Sequence, residues 1–186
     1  MRHAILSTLI VATASAQDSE TWYPTRVGTT WVIEMDGVKR TCKVTRHEKV
    51  GADTCAVIET FEGDVAVSSE HLVVRKDGVY RSKLNTLAFD PPLCVLKLPA
   101  KKGNTWKYTG KLGEGKVTGT FTTSEEEIEV PSGMYKAFVV ASTDFVDAGG
   151  RSSVAYAFAE GVGLVRQTGK DSLGAYTMVL KEFKKP

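Results

Sequence analysis

The sequence predicts an all-β fold, an antiparallel meander of about ten or eleven strands in two similar halves, curved into a sandwich or a partly open barrel. Three observations carry this expectation. Apolar and polar residues alternate with period two: over 38–47, Val38, Cys42 and Val44 take one face while Lys39, Thr41, Lys43 and Thr45 take the other. Short turn signals separate the alternating runs, and no stretch of ten residues holds a 3.6-residue period. Finally, the pattern P-x-x-x-G-x-T-W occurs at 24–31 and again at 99–106, an offset of 75 positions.

Each box reads as the entry of a chain into a sheet. Proline lacks an N–H and belongs outside a ladder, glycine opens a turn, and Thr-Trp-Val-Ile or Thr-Trp-Lys-Tyr then suits a pleated surface. Trp31 and Trp106 thus anchor the starts of two strands.

The elements follow in order. Strand 29–35 meets the turn Asp36-Gly37, then 38–47 and 54–62 flank a turn near 50–53. A turn at Gly63-Asp64 leads into 65–76, and Asp77-Gly78 leads into 79–84. Both aspartate-glycine pairs read as hairpin turns with positive φ. Residues 85–98 contain Pro91 and Pro92 amid apolar residues, and read as a crossover or lid packed on the core rather than a strand. Strand 104–109, a glycine-rich loop over 110–115, strand 116–130, a turn at 131–134, and strands 135–143, 152–159, 164–168 and 175–183 complete the chain.

Two further matches link the halves. Cys55-Ala56-Val57-Ile58 corresponds to Ala137-Phe138-Val139-Val140, and Asp77-Gly78-Val79 to Glu160-Gly161-Val162, with offsets that grow slowly as small loop insertions would require. We therefore expect one β domain over 17–186, with halves of about 22–84 and 98–184 joined by 85–97.

The tryptophan box, the hairpin Glu129-Val130-Pro131-Ser132-Gly133-Met134-Tyr135 and the run Gly161-Val162-Gly163-Leu164-Val165-Arg166 together resemble a group of uncharacterised secreted or lipid-anchored bacterial β proteins. There the pattern is a tryptophan box, a V-P-A-G-x-[FY] turn and a G-[VI]-G-[LM]-V-[KR] strand. Ser132 replaces the usual alanine, and no lipid-anchoring cysteine follows the leader. The resemblance extends in outline to the curved, partly open barrels of bacterial lipoprotein carriers and acceptors.

The first sixteen residues read differently from the rest. Arg2 and His3, an apolar run over 4–11 and Ala14-Ser15-Ala16 make a signal peptide over 1–16, so we expect an exported protein, periplasmic or extracellular. The apolar run is too short to span a bilayer as a helix. Cleavage removes only Arg2 from the count of charges, leaving 23 basic and 22 acidic side chains of interleaved sign. Nothing there is a footprint for nucleic acid or an anionic membrane. In an oxidising compartment Cys42 and Cys55, on successive strands, could close a hairpin disulfide, or all of Cys42, Cys55 and Cys94 could stay free as small apolar residues.

No catalytic, metal or cofactor motif stands out. Serine in G-x-S-x-G, a phosphate loop, a dinucleotide fingerprint, H-x-H and H-x-x-x-H are missing from the sequence. His47 and His71 each neighbour a glutamate, Glu48 and Glu70, but adjacent strand residues point to opposite faces. The expected function is a non-catalytic binding or carrier module for an apolar or amphipathic small molecule. Its walls would be Trp31, Tyr80, Phe89, Leu93, Leu96, Trp106, Tyr108 and Phe158. Two alternatives are a structural or protein-interaction domain of the cell envelope, and a hydrolase or metal-dependent enzyme using His47 or His71.

Overall fold

In the computed structural model, which describes residues 19–186, the period-two pattern is realised as twelve strands. The leader read over 1–16 lies outside the described residues. A single 3₁₀ turn, Ser19–Trp22, precedes β1 (Thr30–Met35), β2 (Val38–Val50), β3 (Asp53–Glu62), β4 (Val65–Arg75), β5 (Gly78–Leu84) and β6 (Leu87–Lys97). Then come β7 (Thr105–Leu112), β8 (Gly115–Val130), β9 (Gly133–Asp147), β10 (Gly150–Ala159), β11 (Gly163–Lys170) and β12 (Ala175–Lys184). Every strand pairs with its sequence neighbours, and β1 pairs with β12, so the meander is a closed barrel. Closure removes the exposed sheet edge that an open sandwich would leave. No helix among the described residues is long and apolar enough to cross a membrane.

Two expectations change. The meander has twelve strands rather than ten or eleven, and it closes. Both changes come from 85–98, expected as a crossover or lid, which holds β6. Asn85 takes φ 52°, a left-handed conformation that asparagine tolerates, and turns the chain directly back from β5. Pro91 and Pro92 do disturb pairing. They sit in an excursion between the pairs Lys83↔Ala88 and Arg81↔Leu93, and β6 pairs with β7 only at Phe89↔Leu112 and Asp90↔Lys111. A proline pair thus weakens one ladder of β6 without preventing the strand.

The two Asp-Gly turns differ as well. Asp36 and Gly37 both have positive φ, 52° and 80°, as their hairpin requires. Gly78 does not. It opens β5, and a Cβ there would lie 2.7 Å from the Leu96 carbonyl oxygen, so this glycine serves close packing of β5 on β6. The loop expected over 110–115 is shorter, because β7 runs on to Leu112.

An antiparallel barrel has two ends. The turns after β2, β4, β6, β8 and β10 lie at the end where the chain enters β1, and that end is plugged. Trp22 and Tyr23 are buried there, Trp22 against Phe138 at 5.4 Å and Tyr23 against Trp31 at 5.4 Å. The opposite end carries the turns after β1, β3, β5, β7, β9 and β11. Val38, Val65, Val67, Leu84, Leu87 and Leu173 stand exposed on or beside those turns.

All three cysteines are free. Cys42 pairs across β2–β3 with Thr60, whereas Cys55 pairs with Glu48. A turn at 51–52 places the two thiols six residues apart along the hairpin, about 20 Å, and on opposite faces. The Cys42–Cys55 disulfide is therefore excluded by register.

Candidate functional site

Strand alternation puts every second residue inside the barrel, and those side chains leave a cavity of about 500 Å³ between the Tyr23 plug and the open end. Its two walls differ. β1, β11 and β12 supply Trp31, Ile33, Met35, Leu164 and Met178, an apolar wall broken by Gln167 of β11. Across from them, β2 to β5 supply Arg40, Thr60, Ser68, Glu70 and Arg81, with Glu62 at the rim. The cavity is amphipathic from side to side.

The charged residues are paired. Arg81 Nε donates to Glu70 Oε2 at 2.8 Å, and the guanidinium carbon lies 5.8 Å over the Tyr156 ring. Burial is the largest single influence on Arg81 and lowers its pKa, but Glu70, Tyr156 and Tyr23 together outweigh it and hold the guanidinium above its ordinary value. Nearer the mouth, Arg40 Nε donates to Glu62 Oε1 at 2.6 Å, and Arg40 Nη2 lies 2.5 Å from the same oxygen. Burial, with Glu70 next in effect, raises Tyr23 well above the usual phenol value. Burial also pushes the Cys42 thiol up to about 11, so the one sulfhydryl lining the cavity stays protonated at neutral pH.

A second cavity of about 230 Å³ opens at the same end and shares Arg81, Leu84 and Gln167 with the first. Its distinctive lining is Phe89, Leu93, Leu112 and Phe145, with Asp147, Lys170 and Asp171 toward the rim. Gln167 Nε2 donates to Tyr176 Oη at 2.9 Å between them.

The fold has a solved counterpart. A candidate lipoprotein from Parabacteroides distasonis ATCC 8503 superposes with a TM-score of 0.54 at 13% sequence identity, over 88% of this chain and 98% of that one. The likeness is one of fold. A candidate exported protein with a YmcC-like fold from Bacteroides fragilis NCTC 9343 gives a TM-score of 0.48 at 11% identity, over 89% and 99% of the respective chains. No protein-family model and no curated protein matches the sequence.

Of the wall residues expected from sequence, Trp31 lines the larger cavity, and Phe89 and Leu93 line the smaller. Leu96 and Phe158 are buried in the packed core, off both cavities. Trp106 stacks on Phe121 at 5.6 Å, and Tyr108 donates from its hydroxyl to the Pro91 carbonyl at 2.6 Å. Tyr80 lies on the outer face, its hydroxyl donating to Asp77 at 2.8 Å and its ring under the Arg75 guanidinium at 4.5 Å.

The reading by aromatics passed over the residues that give the cavity its polarity: Arg40, Glu62, Glu70 and Arg81. In sequence these look like solvated charges. The available signal was parity, since Arg40 and Cys42 fall on the same face as Ile33 and Trp31, their register partners, once the Asp36-Gly37 hairpin is set.

The histidines lie elsewhere. His47 is exposed. His71 is buried on the outer face, where Val57↔His71 and His71↔Lys83 are register neighbours. Its Nε2 comes within 3.4 Å of Glu48 Oε2 but without hydrogen-bond alignment. His71 first, then Lys83, draw the Glu48 carboxyl below its usual range. Among the described residues no three His, Cys, Asp or Glu side chains converge in a metal-binding arrangement.

Proposed function

We propose that this protein is an exported, non-catalytic module that holds one amphipathic small molecule inside its barrel. The observation that carries this reading is the cavity of about 500 Å³, mainly apolar on the β1, β11 and β12 side and polar on the β2 to β5 side, lying beyond the Trp22–Tyr23 plug. The volume lies within the range usual for small-molecule sites, roughly 300–1,000 Å³. The six exposed apolar side chains on the open end suit uptake of a ligand with a hydrocarbon part. Export is supported by the leader pattern over 1–16, and the Parabacteroides counterpart, a candidate lipoprotein, is in keeping with it.

Two related halves of about 22–84 and 98–184 belong to the same reading. The three sequence matches fall on β1 and β7, on β3 and β9, and on the turns opening β5 and β11, six strands apart each time. Joining residues 85–97 then contribute β6 itself.

Native mass spectrometry of gently purified protein, with organic extraction of the same sample, tests the proposal. One bound amphiphile per chain is expected, and Met178→Trp, which fills the cavity from the apolar wall, should abolish it in a protein that still melts cooperatively. An empty barrel that also takes up no added amphiphile would overturn the reading. The open-end side chains favour a second one, a docking surface for an envelope protein. In that case Leu87→Ser with Leu173→Ser would release a partner while leaving the cavity occupied.

A further inference from the structure

Resting on that ligand-holding reading, we infer that the bound molecule carries a zwitterionic head group, and that the mouth pair Arg40–Glu62 is its dock. The cavity wall holds two cations, Arg40 and Arg81, and two anions, Glu62 and Glu70. An anionic ligand would meet two carboxylates and a cationic one two guanidiniums. A head group bearing both signs meets a partner for each.

The two pairs are not equivalent. Arg81–Glu70 lies deep, each side chain largely covered, at the boundary between the cavities. Arg40–Glu62 lies at the rim, with the arginine side chain 19% exposed and the glutamate 42%. Arg40 spends Nε and Nη2 on one oxygen of Glu62, and its Nη1 is enclosed with no acceptor. A desolvated guanidinium nitrogen without a partner is costly, and a phosphate or carboxylate oxygen is the group that fits its geometry. Glu62 has its second oxygen, Oε2, without a hydrogen bond to another side chain, able to accept from an ammonium. Docking then needs only a small turn of the Arg40 side chain that uncovers Nη1: the anion takes Nη1 and the cation takes Oε2. The hydrocarbon then runs inward along Met35, Ile33, Trp31 and Met178.

The test compares four amphiphiles of one chain length by titration calorimetry: a lysophosphatidylethanolamine, a fatty acid, an alkyltrimethylammonium and a monoacylglycerol. Lysophosphatidylethanolamine should bind at least about tenfold more tightly than each of the others. The double variant Arg40→Gln/Glu62→Gln should lose that preference and still bind the monoacylglycerol, which also shows that the barrel has folded. Equal affinity for the zwitterion and the neutral amphiphile, or a preference kept by the double variant, overturns the head-group inference and leaves the cavity reading standing. Failure of all four to bind overturns both.

Discussion

The β1/β12 and β6/β7 junctions of the barrel are built differently. At β1/β12 the backbone does the work, with six residue pairs from Thr30↔Lys184 to Met35↔Met178 and a single shift in register. At β6/β7 only two pairs form. Pro91 and Pro92 offer no N–H, and β6 turns away from β7 below them. The carbonyl groups left over are met by side chains from β7. Trp106 Nε1 donates to the Cys94 carbonyl at 3.2 Å, and Tyr108 Oη donates to the Pro91 carbonyl at 2.6 Å. Where a ladder fails, rings with a polar tip can close the sheet. Trp31, like Trp106 the second residue of its strand, has a different task. Its indole is 3% exposed, packs on Tyr23 and Phe183, and donates to the Val162 carbonyl at 2.7 Å in the turn before β11.

The contrast predicts unequal losses. Trp31→Ala removes a buried ring from the plugged end and should cost about 3–5 kcal/mol, the usual range for a core tryptophan. Trp106→Ala, at a half-buried position, should cost roughly half as much. Urea titrations with unchanged slope would measure both. A larger loss at Trp106 would mean that the stitched seam, rather than the plug, is what holds the barrel.

Tyr108→Phe is a finer probe of the same seam. It keeps the ring and deletes one hydrogen bond, a loss of about 1 kcal/mol. In hydrogen exchange the amides of β6 and β7 should open faster while those of β1 and β12 keep their protection. Acceleration spread evenly round the barrel would show that the two junctions are energetically one unit.

Much of this was legible in the sequence, and the failures have physical reasons. Alternation and turn residues located eleven of the strands, because period two and an Asn, Asp or Gly at a reversal are local signals. β6 was hidden because Pro91 and Pro92 report on backbone donors and say nothing about whether the chain stays in the sheet. Gly78 looked like a turn glycine, yet its need is set by the Leu96 carbonyl, a contact no local pattern contains. Aromatic residues drew attention as ligand walls, but Trp106, Tyr108 and Phe158 went into cohesion, and the polar wall came from Arg40, Glu70 and Arg81. Which charges turn inward depends on bulges such as those between Val44 and Arg46 and between His71 and Leu72.

Cys42 and Cys94 give the smallest and most local comparison. Burial raises both thiols, each to about 11, so both are held protonated at neutral pH. The unfolded chain releases these protons at the ordinary thiol value, below the folded one. Stability owed to the difference is thus complete below the ordinary value and is lost as pH climbs toward 11. Alkylation should be slow at pH 8 and should rise about tenfold per pH unit up to that point. A change in the ratio of the two rates, between the protein and a variant that keeps both thiols in place, reports a change in access. Cys94 sits on the strand whose carbonyl Trp106 holds, while Cys42 sits on fully laddered β2. Trp106→Phe keeps a ring but removes the donor, so Cys94 should alkylate several-fold faster with Cys42 unchanged. Mass spectrometry of the two cysteine peptides reads the ratio directly, and an unchanged ratio would mean that the indole N–H contributes nothing to closing β6 on β7.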